Sequence, residues 1–294
     1  MTAAATTSVL GLTAAFIWGA ADFSGGIAAR HLRVFWLLAI SHAFSLVGLL
    51  LLTGFLHESR PGNHILLLGF LSGIAGGTAL LTFYHALSLG EMGITAALTG
   101  VLTAVLPVVF TLITIGSPSR RQLAGFVLAA GAIWLISSQP SKGKTSTHEE
   151  RKRIALAVIS GIGFGTFLIF LRQANGGGLL WPLAASRVGS LMLALGGALL
   201  FSRHRFVAES SSPTQPARWK LGIALTLLAS VCDTGGNFFF IAATRTGRLD
   251  IAAVLSSLYP ASTILLAIWL LKERTSPRQA VGMISALAAV ALIS

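Results

Sequence analysis

The chain has 294 residues, 54% of them hydrophobic and 10% charged, with a formal net charge of +12 and a mean hydropathy of +0.81. Soluble domains carry about 25% charged residues, so this chain cannot clothe itself in a polar surface and a soluble protein is excluded. The basic excess then belongs to loops between membrane spans, not to a nucleic-acid surface.

Apolar runs of about 20 residues separated by short polar breaks predict spanning α-helices. Ten are read, at 8–29, 34–56, 64–89, 94–115, 119–138, 154–175, 180–201, 219–245, 249–271 and 276–294. The runs are continuous and rich in Leu and Ala, which excludes the alternating strands of a membrane β-barrel. The first run has no basic segment ahead of it and carries Asp22, so it is read as a span and not as a cleaved signal. Trp18 and Asp22, four apart, share a face of that helix. The third helix repeats glycine at Gly69, Gly73 and Gly77, and the sixth carries Gly161 and Gly165. Small residues at this spacing let helix backbones approach closely in lipid. Thr78, Thr82 and His85 fall on one face of the third helix, and Thr99, Thr103, Pro107 and Thr111 on one face of the fourth. The ninth meets a matching stripe at Ser256-Ser257 and Tyr259-Pro260. Such hydroxyls satisfy themselves on a carbonyl one turn back, so helix packing is the default reading for each. Pro107 and Pro260 each remove a backbone hydrogen bond inside a span, which a membrane tolerates only where protein or cavity water satisfies the freed group.

The stretch from residue 240 to 294 lies on 83–137 without a gap at a constant offset: Gly247 falls on Gly90, Ile251 on Ile94, Arg278-Gln279 on Arg121-Gln122, Gly282 on Gly125, and Leu292-Ile293 on Leu135-Ile136. This is an internal repeat. It divides the chain into a first repeat, 1–138, a polar linker, 139–153, and a second repeat, 154–294, with five spans in each. An odd number of spans per repeat makes the second enter the membrane from the opposite side. The expected fold is an all-α membrane protein of ten transmembrane helices as two inverted repeats of five, with a substrate site at the repeat interface near the midplane. Basic residues concentrate in the odd-numbered loops, which by charge alone places those loops inside and both termini outside. The one thiol, Cys232, rules out an internal disulfide.

The segment from Pro260 to Gly282 resembles the end of an EamA repeat of the drug/metabolite transporter superfamily. A proline sits in the penultimate helix, Glu273 follows an apolar run, and after a short polar turn Gly282 lies in a final helix rich in Ala and Gly; Trp18-Gly19 in the first helix also fits. The first half departs from the pattern, since Gly116 stands at the offset position of Glu273. The resemblance implies a ten-helix carrier of the cytoplasmic (inner) membrane that exports or exchanges metabolites, amino acids or drugs. It also implies a cytoplasmic N-terminus, against the charge count.

Three ionisable residues lie well inside predicted spans: Asp22, Arg187 and Asp233. A charge at the bilayer centre costs about 2.5–3.5 kcal/mol on insertion scales, and such residues pair or line water-filled paths. Two readings stand: an Asp–Arg pair that joins two helices, or a substrate and proton site. Asp233 is paired with Arg187 because both lie in the second half, and Asp22 is the proton-coupling candidate. The expected substrate-binding residues are Trp18, Asp22, Thr78, Tyr84, His85, Thr103, Arg187, Asp233, Asn237 and Tyr259. The first, third, fourth, sixth, eighth and ninth helices are expected to line the cavity, and the fifth and tenth to lie outside. No metal-ligand cluster, Walker loop or nucleophile constellation is visible, so no metal, no cofactor and no enzymatic activity are expected. The expected partners are a small-molecule substrate and the lipid bilayer, with no nucleic acid, for a monomer or homodimer. The competing readings are a flippase for a lipid-linked intermediate and, behind it, a membrane-embedded enzyme.

Overall fold

The computed structural model describes residues 3–29, 31–32, 34–88, 92–137, 147–174, 176, 178–201, 216–271 and 276–293. Among these there are helices and no strand: α1 (Ala3–Ala28), α2 (Val34–Phe55), α3 (Asn63–Ser88), α4 (Met92–Thr114), α5 (Arg120–Ser137), α6 (Thr147–Gln173), α7 (Leu180–Phe201), α8 (Pro216–Thr246), α9 (Leu249–Ser256), α10 (Tyr259–Leu271) and α11 (Pro277–Ile293). Seven stretches are long and apolar enough to cross a membrane, the seventh running through α9 and α10, and two shorter apolar helices lie at 98–114 and 277–293. The protein is an all-α, multi-pass membrane protein. Phe16, Leu51, Phe55, Ile113, Leu199, Trp269 and Leu287 stand exposed on the outside, where lipid takes the place of water and exposed apolar surface costs nothing.

Two element boundaries differ from the sequence reading. The ninth span is not continuous: it breaks at Ser257-Leu258 into α9 and α10. Pro260 has no N–H to donate to Ser256, and its ring crowds the carbonyl one turn back. It sits instead in the first turn of α10, where that donor would be orphaned in any case. The linker is also shorter than 139–153. α6 starts at Thr147, so its last seven residues are helical; Glu150 near that start favours the positive end of the helix dipole. Residues 139–146 lie outside the described residues, as does Glu273.

The repeat signature has a structural meaning. Ser119 N–H donates to Gln122 Oε1 at 3.0 Å, and Gln122 N–H to Ser119 Oγ at 3.2 Å. Ser276 and Gln279 make the same two bonds at 2.9 and 3.3 Å. These are reciprocal capping boxes, which satisfy two orphan donors at the start of a helix. One turn further on, a Cβ on Gly125 would lie 2.6 Å from Ile293 Cγ1 and 3.1 Å from Leu292 Cβ, while one on Gly282 would lie 2.8 Å from Ile136 N and 2.9 Å from Leu135 Cβ. The start of α5 thus touches the end of α11, and the start of α11 touches the equivalent end of α5. A contact in which equivalent residues exchange places is isologous and two-fold. Here the paired helices run antiparallel, so the axis is perpendicular to them and lies in the plane of the membrane they cross.

The rest of the packing follows the same exchange. α1 packs on α8 as α6 packs on α3, α4 meets α6 as α9 and α10 meet α1, and α2 meets its own counterpart α7. Close approaches occur where the sequence places small residues. Gly69, Gly73 and Gly77 of α3 lie against Pro182, Ser186 and Ser190 of α7, and Gly161 and Gly165 of α6 against Leu102 and Leu106 of α4.

Candidate functional site

A cavity, partly open to the outside, lies between the two halves. α1 contributes Trp18 and Asp22, α3 Gly76, Leu80 and Phe83, α4 Thr103, α6 Phe164, Phe167 and Leu168, α8 Asp233 and Asn237, and α10 Tyr259. α2 and α7 also line it, through His42 and through Arg187 and Ser190. This corrects the expected set of lining helices, which left out the second and seventh. α5 and α11 contribute nothing to the described lining, because they face each other across the glycine seam.

The rings are placed by missing side chains opposite them. A Cβ on Gly236 of α8 would collide with the Trp18 indole, and one on Gly76 of α3 would come within 2.9 Å of Phe167. Glycine at these two positions lets each ring lie close against a neighbouring backbone. Trp18 also contacts Phe240 at 5.7 Å between centroids, and Phe83 meets Phe164 edge-on at 6.3 Å.

At the charged end, Arg187 Nη2 lies 2.6 Å from Asp233 Oδ2; the arginine side chain is 5% exposed and the aspartate 32%. A second, weaker bond runs from Arg187 Nη2 to Thr234 Oγ1 at 3.3 Å. Asn237 Nδ2 donates to Asp233 Oδ2 at 3.3 Å, which fixes the orientation of that amide. Ser190 Oγ donates to the Gly73 carbonyl at 2.7 Å. Three buried polar atoms on lining residues have no protein partner: His42 Nδ1, Arg187 Nε and Asn237 Oδ1. Asp22 makes no hydrogen bond or ion pair among the described residues, and it feels the negative charge of Asp233 nearby. Buried polar groups are nearly always partnered, so such a concentration at one cavity marks a place for a polar guest. A second, smaller hollow between α1, α2 and α8 is lined by Gly25, Ser41 and Ala229 and shares Asp22, His42 and Asp233 with the first.

The structure brings together Trp18, Asp22, Thr103, Arg187, Asp233, Asn237 and Tyr259 of the residues singled out from sequence. Thr78 and His85 are not among the lining residues. The Thr78 hydroxyl donates to the Ile74 carbonyl at 2.8 Å and Thr82 does the same to Thr78, the packing role that was their default. His85 lies near the end of α3 within reach of the Lys152 charge. Tyr84 is on α3, and its side chain lies outside the described ones. The expected substrate-binding set left out Phe83, Phe164, Phe167, Ser190 and His42. Phe164 with Phe167, and Arg187 with Ser190, are three apart on one helix face, a spacing that extends the site once one member is placed.

Outside the cavity, two ties hold the loops at one end of the bundle. The Glu58 carboxylate accepts from the backbone N–H groups of Leu179, Leu180 and Trp181 at 3.0–3.2 Å, at the start of α7, where the helix dipole favours an anion. Gly178, with φ +113°, makes room for it, and Arg245 donates to the Gly178 carbonyl at 2.6 Å. Arg248 grips the fully buried Asp250 at 2.8 Å and donates to the Gly116 carbonyl at 2.9 Å. The hydrogen bonds it donates to Asp250 hold the Arg248 guanidinium above its ordinary pKa.

A bundle of membrane-crossing helices around a cavity shared by two half-chains is the architecture of a membrane carrier. Residues 151–294 match the EamA-like transporter family, of the drug/metabolite transporter superfamily, which indicates a membrane transporter by class. Among solved structures, one titled "Crystal structure of protein" superposes with a TM-score of 0.76 at 17% identity, over 98% of this chain and 96% of that one, which is a likeness of fold. No curated protein matches the chain.

Proposed function

We propose that the chain is a secondary transporter, an exporter or exchanger of a small organic solute, in which two inverted repeats, 1–138 and 154–294, alternate the access of the central cavity. The observation that carries this is the set of intramembrane charges at the junction of the halves: Arg187 and Asp233 paired, Asp22 unpaired, and unpartnered polar atoms of His42, Arg187 and Asn237 around them. Charges are retained inside a membrane where they face a water-filled path or a bound ligand. A mostly apolar, aromatic lining with a few convergent polar groups is the make-up of a small-ligand site. Trp18, Thr103, Asp233, Asn237 and Tyr259 bind the solute in this reading, and Arg187 fixes Asp233 as an ionised wall. Asp22 carries the coupling proton, since a carboxylate without a cationic partner can exchange a proton for a substrate group. A flippase for a lipid-linked intermediate would need a basic headgroup pocket, and Arg187, the arginine of the described lining, is already bound to Asp233.

Counterflow of labelled metabolites in proteoliposomes, with and without a pH gradient, tests this. Wild-type protein exchanges its substrate in both conditions and accumulates it only with the gradient. Asp22→Asn keeps exchange at saturating substrate and loses accumulation. Accumulation by Asp22→Asn with unchanged pH dependence removes the proton role, and no exchange of any solute by wild-type protein removes the transport reading.

A further inference from the structure

Resting on the reading of the cavity as the solute site, we propose that it selects an organic amine: a cation on an aromatic or branched apolar body, without a carboxylate, held by Asp22.

The charge inventory of the lining comes first. Its formal charges are Asp22, Asp233 and Arg187. Arg187 and Asp233 cancel at 2.6 Å, which leaves Asp22 as the acidic group of the described lining without a cationic partner. An uncompensated carboxylate out of bulk water is costly until a cation joins it. A cationic guest removes that cost, and an anionic guest adds to it.

The hydrogen-bonding inventory points the same way. Asn237 is 1% exposed, its Nδ2 is committed to Asp233, and its Oδ1 has no protein partner. The Asp22 carboxylate and Asn237 Oδ1 are thus lining acceptors without a protein donor, and an ammonium group, with its several donors and no acceptor, matches them. A guest carboxylate would need a donor cation. Arg187 keeps Nε and Nη1 without a hydrogen bond, but its charge is already cancelled by Asp233 at 2.6 Å and its side chain is 5% exposed. A carboxylate gripping the guanidinium through two nitrogens would have to share Nη2 with Asp233.

The remaining wall is aromatic. Trp18, Phe83, Phe164, Phe167 and Tyr259 surround the polar end. Ring faces attract cations, Trp most strongly, and the attraction grows when the cation is desolvated. The same rings take an apolar body. Discrimination between an amine and the matching amino acid then falls on a single added group, the carboxylate, which meets Asp22 and Asp233 with no free cation to offset them.

Purified full-length protein in detergent, with scintillation-proximity binding of labelled tryptamine and phenethylamine, tests this against tryptophan, phenylalanine and the uncharged 3-phenylpropanol. The amines bind at least about 10-fold more tightly than the amino acids or the alcohol, and Asp22→Asn weakens amine binding by about 10- to 100-fold, the range for loss of a charged hydrogen-bonding partner. Asp22→Glu, which keeps the charge, retains the preference. Amino acids binding as well as amines, amine binding unchanged in Asp22→Asn, or no amine binding by wild-type protein each overturns the proposal. Because binding is read without transport, the two readings fail separately. Counterflow of an amino acid with no amine binding removes the amine class and leaves a transporter, while amine binding without counterflow of any solute removes the transporter and leaves the site.

Discussion

Replacing Asp233 by Asn removes a charge and almost no volume, so its effect measures what the carboxylate does for Arg187. The guanidinium is 5% exposed, is held at 2.6 Å by Asp233, and has only the 3.3 Å bond to Thr234 besides. Removing one partner of a buried pair costs about 3–5 kcal/mol, most of it the penalty of the charge left behind. Asp233 keeps 32% of its side chain open, so water softens the loss and the lower end, about 3 kcal/mol, is expected. The Asn237 amide keeps an acceptor in the variant, which leaves charge as the main difference. Equilibrium unfolding in mixed micelles, followed by helical circular dichroism, reads the change. A double-mutant cycle with Arg187→Met isolates the pair: removing the stranded arginine restores at least half of the lost stability. A loss below about 1 kcal/mol for Asp233→Asn, with additive effects in the double variant, would show that the pair is no part of what holds α7 to α8.

Alanine at Gly282 destabilises more than alanine at Gly125, within the ~1–3 kcal/mol range of overpacking, because the new methyl meets the Ile136 backbone nitrogen rather than side-chain carbons; paired unfolding curves check the order. Glu58→Gln loses the anion at the start of α7 and weakens three backbone bonds, a loss of about 1–2 kcal/mol in the same assay. Pro260→Ala permits a continuous ninth span, and the expected outcome is altered counterflow, with faster labelling of the single thiol Cys232 as a second readout; unchanged counterflow and labelling argue that the break has no part in opening the cavity.

Much of the fold was legible because membrane insertion leaves few choices: backbone groups in lipid satisfy themselves inside helices, so run length and hydropathy locate the spans. The inversion was legible from an odd number of spans and from Arg-Gln-x-x-Gly, whose Gln and Gly prove to be a capping partner and a point of backbone approach. The break at Ser257 was less visible, since apolar residues continue on both sides of Pro260. At the site, the deep charges were legible because they are costly, and the Arg187–Asp233 pair followed from them. Phe83, Phe164 and Phe167 were not, because an aromatic ring in a membrane helix faces lipid, protein or cavity with the same composition, and only the packing decides. Thr78 and Thr82 show the converse: polar residues at helical spacing that spend their hydroxyls on their own helix.

The two-fold relation is broken where helices come closest. α3 presses on α7 through Gly69, Gly73 and Gly77, while its counterpart α8 meets α2 over a shorter stretch beside the smaller hollow. At the same offset, α8 carries Thr226, Ser230 and Thr234 in place of the three glycines. A rearrangement that exchanged the roles of the halves would ask α8 to approach α2 with hydroxyl-bearing side chains in between, and Ser230 already reaches the Ser41 carbonyl at 2.5 Å. The mirrored arrangement is therefore not the energetic twin of this one. Duplication supplied two halves of one shape, and divergence at three positions weighted the balance between their two ways of fitting together.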